Sequence, residues 1–390
     1  MIKQNLVILA NSFVSSKGLA GGDVFYIELS QYLVKKYKIS VILPKFAINH
    51  WREKNVNYII LNPNFFDQRE SKIFVFLAYC IRLFQTNKII KKFPAKTTFC
   101  SSSDFFPDVL PIFLLKRKET DYFWIARFYH LVNLSFRKRI SKILIIIPFF
   151  IQRLSIYLAI KKGDLILVDN MQTFNFFKSK GISRNRLLLS GGSVHSKKLI
   201  KYSKKNHKEF CAVFAGRLDF TKGIFDLPKI WARVVKAIPT AKLAIVGTAT
   251  AKNQQKLLEL IKKNKIEKNV KLFGFLPHQG GKTIFDVFAK SKMFLSLTLE
   301  GGRDFVLIEA MACGLPVLAY NQPFLKEGLI NKGFLTAPKN KTGKIAKLAI
   351  YLLKNPKVRD LLSRQALQEV KKLDWRQTYI ALSQSLSTLG

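Results

Sequence analysis

The sequence predicts an α/β chain built from two domains, each a parallel sheet covered by helices. Short apolar runs of strand length alternate with longer helical patterns along the chain. Its 390 residues are about two domains long at roughly 100 to 200 residues each. One central segment, 193–209 (SVHSKKLIKYSKKNHKE), is dense in Lys and Ser and poor in apolar periodicity, which places a linker there.

In chain order, the first half offers the strands NLVILA, ISVILP, NYIILN, TTFCSS and DLILVD, and the second half EFCAVFAG, AKLAIVG, NVKLFGF, KMFLSLT and LPVLAY. The start, MIKQNLVILANSF, holds five consecutive apolar residues, Leu6 to Ala10, fewer than the roughly 7 to 15 of a signal-peptide core. It reads as a buried strand. The runs IFVFLAYCI and ILIIIPFF, the second broken by Pro148, are well short of the roughly 18 to 20 residues that cross a bilayer. The expected division is an N-terminal Rossmann-like domain over 1–195, a linker over 196–209, and a C-terminal Rossmann-like domain over 210–370. A helix over 371–390 spaces Trp375, Tyr379 and Leu382 on one apolar face that can pack on either domain. Two such units leave a cleft toward which the carboxyl ends of both sheets face.

With 66 basic and 24 acidic residues the net charge is +42, which attracts phosphates, nucleic acids or anionic lipid. No zinc-finger, RNP or helix-turn-helix signature accompanies it, so no nucleic-acid partner is expected. Cys80, Cys100, Cys211 and Cys313 are far apart and lack the C-x-x-C spacing of a zinc site, so they read as reduced core residues of a cytoplasmic protein.

The stretch TLEGGRDFVLIEAMACGLPVLA places Glu300 and Glu309 either side of a glycine-pair loop. A helix should start near Phe305 and stop at Gly314. Backbone N–H groups at such a helix start favour an anion, but the helix field supplies only about 0.3 to 1 kcal/mol. A diphosphate needs charge-assisted hydrogen bonds, at roughly 1.5 to 3 kcal/mol each. Arg217 and Lys222 in FAGRLDFTKG follow a strand directly and are delivered to the rim of its sheet. Two close carboxylates also suit a glycosidase, but that chemistry has no use for a cationic diphosphate cradle.

The segments FAGRLDFTKGIFDLPKIWARVVKAIPTAKLAIVG, VKLFGFLP, FAKSKMFLSLTLEGG and VLIEAMACGLPVLA, in that order, resemble the family 4 glycosyltransferases, retaining enzymes of the GT-B fold and the group 1 glycosyl transferase type. The likeness is strong over 210–320 and fainter in KGLAGGDVFYIELSQYLVKKYKISVILP. It implies that Arg217 and Lys222 hold the diphosphate of a nucleotide sugar and stabilise the departing nucleotide. Glu309 matches the second glutamate of the E-x7-E motif, which binds ribose, and Glu300 the first, which addresses the transferred sugar. Gly21 and Gly22 resemble the loop that closes over donor phosphate, His130 a histidine of the sugar pocket, and Phe275 the place where the base is held. Gly216, Gly247, Gly301, Gly302, Phe305 and Val306 complete the implied donor-binding set.

One departure stands out. Eight residues, not seven, separate Glu300 from Glu309, and E-G-F-G becomes E-G-G-R-D. With the helix kept in register Gly301 takes the first-glutamate position, so either a bulge carries Glu300 to the sugar or Asp304 or Arg303 replaces it. The chain has no D-x-D sequence, so neither metal nor cofactor is expected and cations neutralise the diphosphate.

The expected activity is transfer of a hexose from a GDP- or UDP-linked donor to a hydroxyl of a lipid-linked or cell-surface glycan. A nucleotide-sugar epimerase or a glycogen or sucrose synthase type of enzyme shares the architecture, and a non-catalytic polyanion- or membrane-binding protein is the alternative of another class. Residues 116–162 hold eleven Lys or Arg and two acids among Phe, Leu and Ile. This basic stretch suits an anionic membrane surface or the solvated face of a core helix, and the first choice places the protein on the inner face of the cell membrane.

Overall fold

The computed structural model describes residues 3–389 except 15, 17–20, 52, 70, 119–120, 133–142, 191–193, 205–206, 279, 300–303, 323–324 and 326–329. The chain forms two compact units, one of Met1–Ser190 with Trp375–Gly390, the other of Gly191–Asp374. Each is built around an all-parallel sheet, as the alternation of short apolar runs and helical patterns predicts.

The first unit runs β1 (Gln4–Leu9), α1 (Gly21–Leu33), β2 (Tyr37–Pro44), β3 (Asn57–Leu61), α2 (Lys72–Ile90), β4 (Thr98–Ser101), α3 (Phe106–Lys118), β5 (Phe123–Phe128), α4 (Ile143–Lys162), β6 (Leu165–Val168), α5 (Met171–Ser179) and β7 (Leu187–Leu189). The sheet order is β3-β2-β1-β4-β5-β6-β7. Strand β5 was not expected: FWIARF carries Arg127 inside its run and so lacks the uninterrupted apolar character of its neighbours. Alternation solves the conflict. Trp124, Ala126 and Phe128 point into the core shared with α3 and α4. Arg127, on the other face, stacks its guanidinium 3.2 Å from the Phe25 ring centroid of α1 and pairs with Asp169 at 2.9 Å. The C-terminal helix Trp375–Leu389 packs on α1 in this unit through the pairs Trp375–Phe25 and Tyr379–Tyr32.

Helix α2 departs from the reading of its apolar run as too short. The helix is 19 residues and, by length and composition, apolar enough to cross a bilayer, yet only 28% of its most apolar window is buried. Its inward stripe contains Ala78, Tyr79, Arg82, Thr86 and Ile90. Arg82 is buried and spends its donors on the carbonyls of Asn11 and Phe13, both at 2.7 Å, and on Asp67 at 2.6 Å. Asp108 of α3 grips the same loop, accepting from Asn11 N at 2.7 Å and from Ser103 Oγ at 2.6 Å. Polar pins thus hold Asn11 and Phe13, just after β1.

The second unit runs α6 (Ser196–Leu199), β8 (Ala212–Ala215), α7 (Leu227–Ala237), β9 (Leu243–Val246), α8 (Ala251–Lys263), β10 (Val270–Leu272), α9 (Ile284–Ala289), β11 (Phe294–Ser296), α10 (Phe305–Ala312), β12 (Val317–Tyr320) and β13 (Phe334–Ala337), followed by helices Thr342–Lys354 and Pro356–Glu369. Its sheet order is β10-β9-β8-β11-β12-β13. Both faces are buried, which explains the continuous apolar runs. Val213, Ala215, Ala244, Val246 and Val317 feed one core, while Ala212, Phe214, Leu243, Ile245 and Leu318 feed the other.

The domain boundary lies earlier than expected. Residues 196–204 are helical turns of the second unit with Leu199 in its core, held where Asp374 accepts from Ser196 N at 2.9 Å and Oγ at 2.7 Å. The chain leaves the first unit after Ser190 and returns to it at Trp375. The lysine density hides Leu199, which lies in the core, and Tyr202, which packs against it.

Arg82→Met should lower unfolding stability by about 3–5 kcal/mol, since it strands Asp67 and two loop carbonyls, a loss that urea titration would read. Burial pushes the Asp108 carboxyl up to about 7. The folded chain therefore binds its proton more tightly than the unfolded one, whose carboxyl titrates near about 4, and stability falls as pH rises through that window. Relative to Asp108→Asn, the wild-type unfolding free energy should decline between about pH 4 and pH 7.

Candidate active site

Parallel strands end together on one edge of the second unit's sheet. Strand β8 has β9 on one side and β11 on the other, so the chain departs in opposite directions from β8 and β11 and leaves a crevice at their carboxyl ends. Arg217 and Lys222 follow β8 into this crevice, and Thr298 and Asp304 follow β11.

The loop after β8 is closely specified. Gly216 leaves the strand at φ +141°, and Asp219 accepts at Oδ1 from Thr221 Oγ1 at 2.6 Å and from Lys222 N at 3.1 Å, forming the short turn Phe220–Lys222. Gly223 ends it in the left-handed conformation, φ +69°, where a Cβ would lie 2.1 Å from the Leu297 carbonyl oxygen. Gly247, at the end of β9, passes so close that a Cβ would lie 1.8 Å from the Gly216 carbonyl oxygen. These two glycines let the loops after β8, β9 and β11 meet.

Lys222 is held across the crevice. Its Nζ lies 3.4 Å from Asp304 Oδ1 and 3.5 Å from Thr298 Oγ1. Asp304 is buried, and its second oxygen accepts from Ser296 Oγ at 2.8 Å and Thr298 Oγ1 at 3.0 Å, while Gln322 donates to Ser296 Oγ. Asp304 occupies the N-cap position of α10 without capping it. Its carboxylate is thus committed to positioning Lys222. Arg217 differs: its side chain is 75% exposed, with a loose 3.8 Å contact to Asp219. It is a cation at the rim with most of its charge facing solvent.

Glu309 projects from the second turn of α10, and its Oε2 lies 3.2 Å from His278 Nε2. His278 also packs edge-on against Phe285 at 5.4 Å, so it ties the segment carrying exposed Phe275 to α10. The sequence reading missed His278, although FLPHQ places it three residues beyond Phe275. It also gave Asp304 no part in holding Lys222, and it overlooked Ser296 at the end of β11, Thr298 just beyond it and Gln322 just beyond β12.

The second unit thus brings together Arg217, Lys222, Gly216, Gly247, Phe275, Phe305, Val306 and Glu309 at one sheet edge. Glu300, Gly301 and Gly302 lie outside the described residues, as does Arg303. Gly21 and Gly22 open α1 of the first unit, and exposed His130 follows β5 there, its carbonyl accepting from Gln152 Nε2 at 2.8 Å. That same amide donates to buried Asp104 at 2.6 Å, and burial raises the Asp104 carboxyl above its ordinary range.

Asp304→Ala should cost about 1–3 kcal/mol of stability, because the Ser296 and Thr298 hydroxyls and Lys222 lose their common acceptor, and thermal unfolding would measure it.

Residues 195–369 match the model of the glycosyl transferases group 1 family. An uncharacterized glycosyltransferase of Haemophilus influenzae is 28% identical over 211 residues, 53% of this chain, and the chain spans 57% of that relative's length. Among solved structures, sucrose-phosphate synthase from Thermosynechococcus elongatus superposes with a TM-score of 0.80 at 15% identity over 99% of both chains. HepE of Anabaena in complex with UDP does so at 0.71 and 14% identity, over 99% of this chain and all of that one. These likenesses establish the fold. Residues 195–369 are therefore a group 1 glycosyl transferase domain, in a chain whose two parallel-sheet units have the GT-B fold.

Proposed function

We propose that this chain is a retaining glycosyltransferase that moves a hexose from a nucleotide-sugar donor, GDP- or UDP-linked, to a hydroxyl of a lipid-linked or cell-surface glycan. The observation that carries the proposal is the pair of cations at the β8 end of the crevice, one held and one exposed, with Glu309 on the adjoining helix. The presence of UDP in the fold neighbour HepE supports a nucleoside diphosphate as ligand.

Glu309 accepts from the ribose hydroxyls and Phe275 lies along the base. Arg217 and Lys222 take the charge that grows on the diphosphate as the bond between sugar and phosphate breaks. The acceptor hydroxyl then bonds to the anomeric carbon from the face the diphosphate leaves and passes its proton to the departing phosphate oxygen. Such preorganised electrostatic stabilisation is usually the largest catalytic term, and here Asp304 keeps Lys222 in place before the donor arrives. In this reading the two cations neutralise the diphosphate and turnover needs no metal ion. On this proposal the protein works in the cytoplasm at the inner face of the cell membrane.

A donor at about 100 times its Kd should add about 2.7 kcal/mol of stability, so one nucleotide sugar in a panel should raise the unfolding temperature of the native chain and not that of Arg217→Ala or Glu309→Ala. If all polyanions stabilise equally, the reading fails. With the donor known, Arg217→Ala should reduce kcat by about 100-fold or more, EDTA should leave turnover unchanged, and the product should keep the donor's anomeric configuration.

A further inference from the structure

We propose that the outer face of α2, continued over the exposed stripes of α3 and α4, is a docking surface that lies on an anionic lipid bilayer. Helix α2 is turned the wrong way for a helix in water. Its inward stripe carries Arg82 and Thr86, while Ile73 is 70% and Phe84 67% exposed, with Phe76 between them and Phe65, 69% exposed, just before the helix. A helix that is apolar nearly all round is normally covered by protein or lipid. The Arg82 bonds to Asp67, Asn11 and Phe13 prevent it from rotating to bury that face.

The surface continues beyond one helix. Helix α2 packs on α3, and α3 on α4. The Phe76–Phe106 contact at 5.6 Å belongs to the first of these pairs. Leu114 on α3 and Phe150, Leu154 and Tyr157 on α4 are exposed, the last three at helical spacing with Lys161 one turn further on. Three neighbouring helices therefore present apolar side chains outward.

Charge selects the occupant. Residues 71–103 contain no Asp or Glu but include Lys72, Lys88, Lys91, Lys92 and Lys96, all exposed. Arg69 joins them, its guanidinium 3.8 Å from the Phe65 ring centroid. A two-fold contact between copies would set this patch against itself, cation facing cation. An anionic headgroup layer satisfies the lysines while its acyl boundary takes the Phe and Ile side chains. Because Arg82 is committed to the body of the first unit, α2 lies in the interface and does not span. The basic stretch 116–162 contributes through α4, whose Phe150 and Tyr157 add to Phe76 and Phe84 of α2.

The test is flotation of the full chain with vesicles of phosphatidylcholine, with and without phosphatidylglycerol. The native protein should float with the anionic vesicles and less so at high salt. The variant Ile73→Ser/Phe76→Ser/Phe84→Ser, whose sites are exposed, should keep the native circular dichroism and lose binding at least tenfold. Lys88→Gln/Lys91→Gln/Lys92→Gln should lose about fivefold per cation and a matching part of the salt dependence. Failure of the native protein to float, or unchanged flotation of the apolar variant, overturns the proposal. So does a native dimer, seen by light scattering, that the apolar variant dissolves. The surface is independent of sugar transfer: the apolar variant should keep any stabilisation by a nucleotide sugar, and vesicle binding without nucleotide response would sink the transferase reading alone.

Discussion

The second unit depends on a constraint of parallel sheets. Each parallel neighbour needs a crossover, so every strand delivers its carboxyl end to the same edge, and only where the winding reverses do two adjacent loops part company. That point is β8 and β11. The gap is closed by the contact of Lys222 with Asp304 and by the two glycines that bring backbone within reach of backbone. The two cations after β8 end in different states: Lys222 is held by Asp304, while Arg217 keeps most of its charge facing solvent.

The first unit has the same reversal between β1 and β4 and fills it differently. Asn11, Arg82, Asp108 and Ser103 knit a buried polar cluster there that holds the start of the loop after β1. Satisfying that cluster draws Arg82 inward and sends aromatic side chains outward on α2. One requirement, paired polar groups in a buried loop, thus produces both a fixed loop and an apolar exterior.

Ten strands were legible because buried parallel strands read as short uninterrupted apolar runs, and β5 was missed because Arg127 interrupts one. Arg127 is tolerated inside because it stacks on Phe25 and pairs with Asp169, partners more than 40 residues away in both directions along the sequence. Strands β7 (Leu187–Leu189) and β13 (Phe334–Ala337) were also not read; each lies at a sheet edge and is only partly buried. At the site, Arg217, Lys222 and Glu309 were legible from residue type next to a strand end or helix start. The partners that hold them were not: Ser296, Thr298 and Gln322 acquire meaning only when β11 and β12 lie beside each other.

The sequence by itself determined the two-domain α/β class, the strands with both faces buried, and the cations and carboxylate of the candidate site, because period, length and residue type are local properties. Only the tertiary structure decided where the chain crosses between units, which acid holds Lys222, that His278 meets Glu309, and that α2 faces its apolar side outward. Each of these depends on a hydrogen bond or packing contact between residues distant in the chain, and no local pattern records which distant partner a side chain will find.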